Sequence, residues 1–193
     1  MGLSTSMGGR MRMVAAVIAL LLPSAFCFGD PKAESKADSC RKFVQQFYRS
    51  YAAKCKKGYS AEQAVKAHPR SFSPAIIRAL RENDAESKKH PGEIVGLDFD
   101  PILNAQDVAQ RYEAGKPVVR GERYLVPVYG VWNGRKTALP DVTCELGSVN
   151  GAWRFEEFHY HRDKGKPDET FSQVMDSLRR EWRKETGHTK HEK

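Results

Sequence analysis

Apolar side chains recur every three or four residues in the first part of this chain and alternate with polar ones further on. Cys40, Phe43, Val44, Phe47, Tyr48, Tyr51 and Cys55 form one apolar stripe of a helix starting near Asp38. Ser60-Ala-Glu-Gln63 reads as a capping box opening a short second helix. Ser73-Pro74, a cap and a first-turn proline, precedes Ile76, Ile77 and Leu80 in a third, which the polar stretch 83–92 ends. Residues 94–101 then read as a short strand stopped by Pro101. The pairs Asn133-Gly134 and Asn150-Gly151 predict type I′ hairpins, because both central residues of that turn need positive φ. They join segments 123–132, 137–146 and 152–160 into a three-strand antiparallel meander. Pro127 has no N–H for a ladder, which predicts a sheet edge or a bulge at that point. Beyond a loop at 164–168, Phe171, Val174, Met175, Leu178 and Trp182 mark a last amphipathic helix. The fold class is therefore α+β, with N-terminal helices packed on a curved antiparallel sheet and a C-terminal amphipathic helix.

The start of the chain has a different character. Arg10 and Arg12 precede an apolar run from Met13 to Phe28, and the first acid is Asp30. That order is the one found in a cleavable secretory signal. The run is shorter than the roughly 20 apolar residues needed to span a bilayer, and Pro23 interrupts it. Cleavage after Gly29 or after Ala25 suits the small-residue rule. Acylation at Cys27 is a weaker alternative, because the bulky Phe26 precedes it. The expected organisation is a signal at 1–29, a flexible leader at 30–37, one α+β domain at 38–186 and a disordered basic tail at 187–193. The expected location is periplasmic or secreted, with no membrane span after cleavage.

The net charge of the 193-residue chain is +8, and removing Arg10 and Arg12 with the leader lowers it to +6. The excess gathers at Lys54, Lys56 and Lys57 and along the C-terminal segment at Arg179, Arg180, Arg183 and Lys184. Such clusters attract polyanions. Here Glu181 and Glu185 are interleaved and no aromatic stacking pattern accompanies them, so a specific nucleic-acid partner is not expected. Three cysteines follow the leader. Cys40 and Cys55 would stand about 22 Å apart on one unbroken helix, beyond the roughly 7 Å that a bridge tolerates. A disulfide would therefore use Cys144, and Cys55 with Cys144 is the expected pair. With no CxxC spacing, glycine-rich phosphate loop or Gly-x-Ser-x-Gly elbow, the chain predicts no cofactor, metal or catalytic set.

One polar cluster is dense enough for chemistry: Asp98, Asp100, Asn104 and Asp107. Read as a site, it could bind a hard cation through oxygen ligands. It could also supply a carboxylate base inside a closed pocket, with Tyr48 or Tyr51 as hydrogen-bond donor. Read as structure, Asp100-Pro101 is a turn, Asn104 caps local backbone and the acids fix a strand-to-loop junction, and this reading is preferred. Glu157, His159 and His161 alternate along the last meander strand behind Trp153 and Phe155, so all five are expected on one face. No third strong ligand accompanies the two histidines.

Four segments carry a family resemblance: Phe43-Val-Gln-Gln-Phe-Tyr48, Ser73-Pro74, the run from Gly96 to Asp107, and Asn150-Gly-Ala-Trp-Arg-Phe155. Between about Asp38 and Tyr160 the chain resembles the bacterial exported proteins of the domain of unknown function 3828 family. That resemblance implies a cone-like fold of the nuclear transport factor 2 and cystatin-like type and a cell-envelope location. It brings no catalytic residues. The leading expectation is an exported, non-catalytic domain binding an unknown protein or small-molecule ligand of the cell envelope at the mouth of the sheet. The alternatives are a small enzyme of the ketosteroid-isomerase kind with Asp98 or Asp100 as base, and a polyanion-binding envelope protein.

Overall fold

The computed structural model describes residues 35–161 and 168–188. The expected export signal, most of the 30–37 leader, most of the 164–168 loop and the tail beyond His188 lie outside the described residues. Within them the chain is α+β, with four α-helices and a seven-stranded antiparallel sheet that does not close into a barrel.

Helix α1, Lys36–Cys55, begins two residues before the expected start, because the Oγ of Ser35 accepts from the N–H of Asp38 (3.1 Å) and caps its first turn. The predicted stripe faces inward: Cys40, Val44, Tyr48 and Tyr51 are buried, with Phe43, Phe47 and Cys55 packed half-buried beside them. Helix α2, Ala61–Ala67, opens on the predicted capping box, and both reciprocal bonds of Ser60 and Gln63 are present. A 3-10 turn at Pro69–Ser71 leads into α3, Pro74–Ser87, which Ser73 caps through the N–H of Ile76.

The sheet comprises β1 (Arg111–Ala114), β2 (Val118–Arg120), β3 (Arg123–Trp132), β4 (Arg135–Lys136), β5 (Val142–Val149), β6 (Ala152–Tyr160) and β7 (Glu169–Thr170), and α4 follows at Phe171–His188. The strand order is β1-β3-β5-β6-β7, with β2 and β4 also paired to β3. Both Asn-Gly turns have the predicted geometry, with φ of 49° and 76° at Asn133 and Gly134 and of 51° and 78° at Asn150 and Gly151. The expected 137–146 strand starts later: two residues of β4 pair with the end of β3 before the chain loops into β5.

Three expectations are corrected. Residues 94–99 form a bent loop in place of the predicted strand. Gly96 adopts φ +94°, and the adjacent N–H of Leu97 donates to Asn83 Oδ1 of α3 (2.8 Å), which ties the segment to a helix side chain. Pro127 lies within a central strand, flanked by β5 and by the β1–β2 edge. It is tolerated because β1 and β2 part opposite it, with the N–H of Gly115 donating to the Pro127 carbonyl (2.7 Å). The alternation along β6 breaks at Glu156, since Glu145 pairs with Glu157 whereas Leu146 pairs with Phe155. This bulge buries Phe155 together with Phe158 and Tyr160 and leaves Glu157 and His159 half-exposed on the other face. Phe155 and the Glu157–His159 pair therefore do not share a face as expected.

The core lies between the helices and the inner sheet face. Phe47, Phe72 and Phe155 meet at ring-centroid distances of 4.9–5.5 Å in its centre. The free edge of β1 is covered by α1: Gln45 donates to the Tyr112 carbonyl (2.9 Å) and accepts from the Ala114 N–H (2.8 Å), while Arg41 donates to the Ala114 carbonyl (3.0 Å). An edge that would otherwise invite strand pairing is thereby closed with side-chain amide and guanidinium groups.

Candidate functional site

The polar cluster 98–107 divides in space. Asp98 and Asp107 are exposed, whereas the carboxylate of Asp100 turns inward. Its Oδ2 accepts from the Tyr51 hydroxyl (2.5 Å), and its Oδ1 accepts from the N–H groups of Ile102 (2.9 Å) and Leu103 (3.0 Å). The backbone of Asp100 also pairs with that of Ala105 in both directions, closing a tight loop. Asn104, at φ +52°, donates from Nδ2 to the Asp141 carbonyl (2.7 Å) and fastens the loop to the start of β5.

Two further tyrosines hold the same loop. Tyr48 donates to the Ile102 carbonyl (2.6 Å) and Tyr160 to the Pro101 carbonyl (2.8 Å). Ile102 and Leu103 are fully buried. Residues 100–105 are thus packed against α1 and β6 and held there by three phenolic hydroxyls. Burial raises the Asp100 carboxyl above its ordinary range, and the three donated hydrogen bonds oppose that shift without cancelling it. Burial also raises Tyr51, and the neighbouring Asp100 charge adds to the rise.

Cys55 and Cys144, the expected disulfide pair, are free thiols with different neighbours. The sulfur of Cys144 lies 3.2 Å from the Tyr48 hydroxyl in the core, and that of Cys55 lies 3.8 Å from Asp100 Oδ2. Tyr48, two helical turns before Cys55, occupies the position facing β5. On the outer sheet face His159 contacts Glu145 (3.0 Å), while His161 contacts Thr143 (2.9 Å) and Asp168 (3.2 Å). Among the described residues no group of three or more His, Cys, Asp or Glu could hold a metal ion.

A wide opening lies elsewhere. A groove of about 1000 Å³ runs between α3 and the β5–β6 hairpin. Phe72 and Ile77 form its floor, with Val149 and Ala152 of the hairpin opposite. Its walls are held together by the N–H of Ser73 donating to the Phe155 carbonyl (2.8 Å) and by a parallel bridge between Phe72 and Phe155. Four arginines line it: Arg70, Arg78, Arg81 and Arg154. Arg154 is paired with Glu156 (2.8 Å). The one acid in the lining, Glu82, is taken by two bonds from Arg179 of α4 (2.6 and 2.9 Å).

Arg70, Arg78 and Arg81 are exposed and make no hydrogen bond or ion pair with any described residue. The groove is therefore an apolar trough with uncompensated positive charge on its rim. Sequence reading missed it because its lining comes from a 3-10 turn, one helix and a distant hairpin. The signal available was Arg78 and Arg81 on a short helix whose apolar stripe includes Ile77. Neither Asp98 nor Asp100 lines this groove or three other depressions of about 210 to 410 Å³. No protein-family model, curated protein or solved structure matches this chain.

Proposed function

We propose that this protein is an exported, non-catalytic binding domain of the cell envelope whose ligand sits on its outer surface, in the groove between α3 and the β5–β6 hairpin. The observation that carries this reading is a groove with an apolar lining and three arginines lacking acidic partners, while the Asp100 loop is packed shut against α1 and β6. Apolar lining with a few convergent polar groups is the usual composition of a binding site. A general base needs an oxygen free to reach a substrate proton. Asp100 spends Oδ1 on the loop that it folds and Oδ2 on Tyr51 of α1, and Asp98 and Asp107 face solvent, which weighs against a ketosteroid-isomerase kind of chemistry. Export is supported by the charged, apolar and small-residue order of the first 29 residues and by the family resemblance.

The test is a thermal-shift panel of anionic, neutral and cationic small molecules and peptides on the parent protein and two variants. Ala85→Trp places a large side chain in the groove lining, and Asp100→Asn alters the packed Asp100 loop. Stabilisation by a ligand follows mass action. The shift given by a true ligand is expected to survive Asp100→Asn and to disappear in Ala85→Trp. Turnover of any compound, or a shift lost only in Asp100→Asn, would transfer the function to that loop and overturn the groove reading.

A further inference from the structure

We infer that the groove receives an acidic, partly apolar peptide segment of a partner protein, laid along α3. This deepens the groove reading and rests on it. Along α3 the lining runs from Pro74 to Ala85, eleven helical steps or about 16 Å at 1.5 Å per residue. An extended segment of about five residues covers that length. The free charges are spread along it: Arg70 stands on the 3-10 turn, and Arg78 and Arg81 stand three residues apart on α3. Like charges at that helical spacing repel, and carboxylates arriving between them remove the repulsion.

Guanidinium groups bind carboxylates as planar forks, so a row of them suits a row of acidic side chains. An amphiphile with a single anionic head would answer one arginine and leave the others uncompensated. Inorganic phosphate is far smaller than a groove of about 1000 Å³. Single-stranded nucleic acid needs exposed aromatic faces for base stacking. The one aromatic residue of the lining, Phe72, is 1% exposed and cannot stack on a base. Ile77, Val149 and Ala152 instead offer apolar contact to the side chains that alternate with the acids.

Fluorescence anisotropy at low ionic strength tests this on the full mature chain. The probes are a labelled Glu-Leu-Glu-Leu-Glu peptide, its Lys-Leu counterpart, pentaglutamate, dodecanoate as competitor and a labelled thymidine oligonucleotide. The Glu-Leu peptide is expected to bind most tightly. Arg78→Glu with Arg81→Glu should weaken it at least tenfold, and Ala85→Trp should remove it. A charge-matched control, Arg135→Glu with Lys136→Glu on β4 at the opposite end of β3, should change it less than threefold, beyond a general field effect. Circular dichroism melting confirms that each variant is folded.

Equal losses in the groove variant and the control would overturn the inference in favour of diffuse charge attraction. Dodecanoate or oligonucleotide binding that Ala85→Trp abolishes, with no peptide binding, would overturn the peptide and leave the groove as the site. Peptide binding unaffected by Ala85→Trp would overturn both.

Discussion

Asp100 shows how one carboxylate can resemble a catalytic group in sequence and act as a fold determinant in space. It accepts two backbone N–H groups and one phenolic hydroxyl, and each donor would be left buried and unpartnered without it. Leaving a buried donor unsatisfied costs about 1–3 kcal/mol. Asp100→Ala should therefore lower unfolding stability by about 3 kcal/mol or more, and Asp100→Asn, which keeps one acceptor oxygen, by about 1–2 kcal/mol. Urea denaturation reads both values. The pH dependence has a definite sign. Because the folded carboxyl titrates above its ordinary value of 3.8, the native state holds its proton more tightly than the unfolded chain does. The contribution of Asp100 to stability thus falls as pH rises from 3.8 through its folded pKa. The stability advantage of the parent over Asp100→Asn should shrink across that window, and a constant difference would contradict the buried placement. Tyr48→Phe removes the bond to the Ile102 carbonyl and should cost about 1 kcal/mol.

At the scale of elements, local rules succeeded where one short segment contained the whole cause. The Ser60–Gln63 capping box, the Ser73 cap and both Asn-Gly turns rest on contacts within a few residues, and each formed as expected. The rules failed where a distant partner intervened. Residues 94–99 carry a strand-like pattern, yet Asn83 on α3 captures the Leu97 N–H and Gly96 turns to positive φ against that side chain. A Cβ at Gly96 would run into Asn83 Oδ1, whereas one at Gly92, also at positive φ, would meet nothing. Gly96→Ala should therefore cost about 2–3 kcal/mol, against about 1 kcal/mol for the strain alone in Gly92→Ala. Equal midpoints for the two variants in chemical denaturation would argue against this contact. The bulge at Glu156 has the same origin, since an extra residue in β6 is accommodated by pairing with β5 and by Phe155 entering the aromatic centre.

Taken whole, the molecule pairs a sealed interior with an unfinished surface. Cys144 is fully buried, and burial pushes its thiol up to about 12, while Cys55 is raised to about 11. A thiolate is the reactive form, so native alkylation at neutral pH should be slow at Cys144 and should become rapid only after unfolding, as followed by mass spectrometry. Fast native labelling of Cys144 would show that the core opens readily. On the proposed export reading, the full-length protein should be recovered outside the cytoplasm with a mass starting near Asp30, and an intact Met1 in a membrane fraction would contradict it.

The α+β class, all four helices, the two hairpin turns and the inward stripe of α1 follow from the sequence by itself, because spacing, caps and turn residues act over a few positions. The turn at Asp100-Pro101 was legible as well, since that pair carries turn chemistry wherever it falls, although the strand expected before it is a loop. Tertiary structure alone decided that Tyr48, Tyr51 and Tyr160 converge on that loop and that Cys144 meets Tyr48 in place of Cys55. It also assembled the arginine-rimmed groove from residues up to 85 positions apart, Pro69 to Arg154. The physical reason is common to all of these. A hydrogen bond or an apolar contact is blind to sequence separation, whereas periodicity and capping can be read only between near neighbours in the chain.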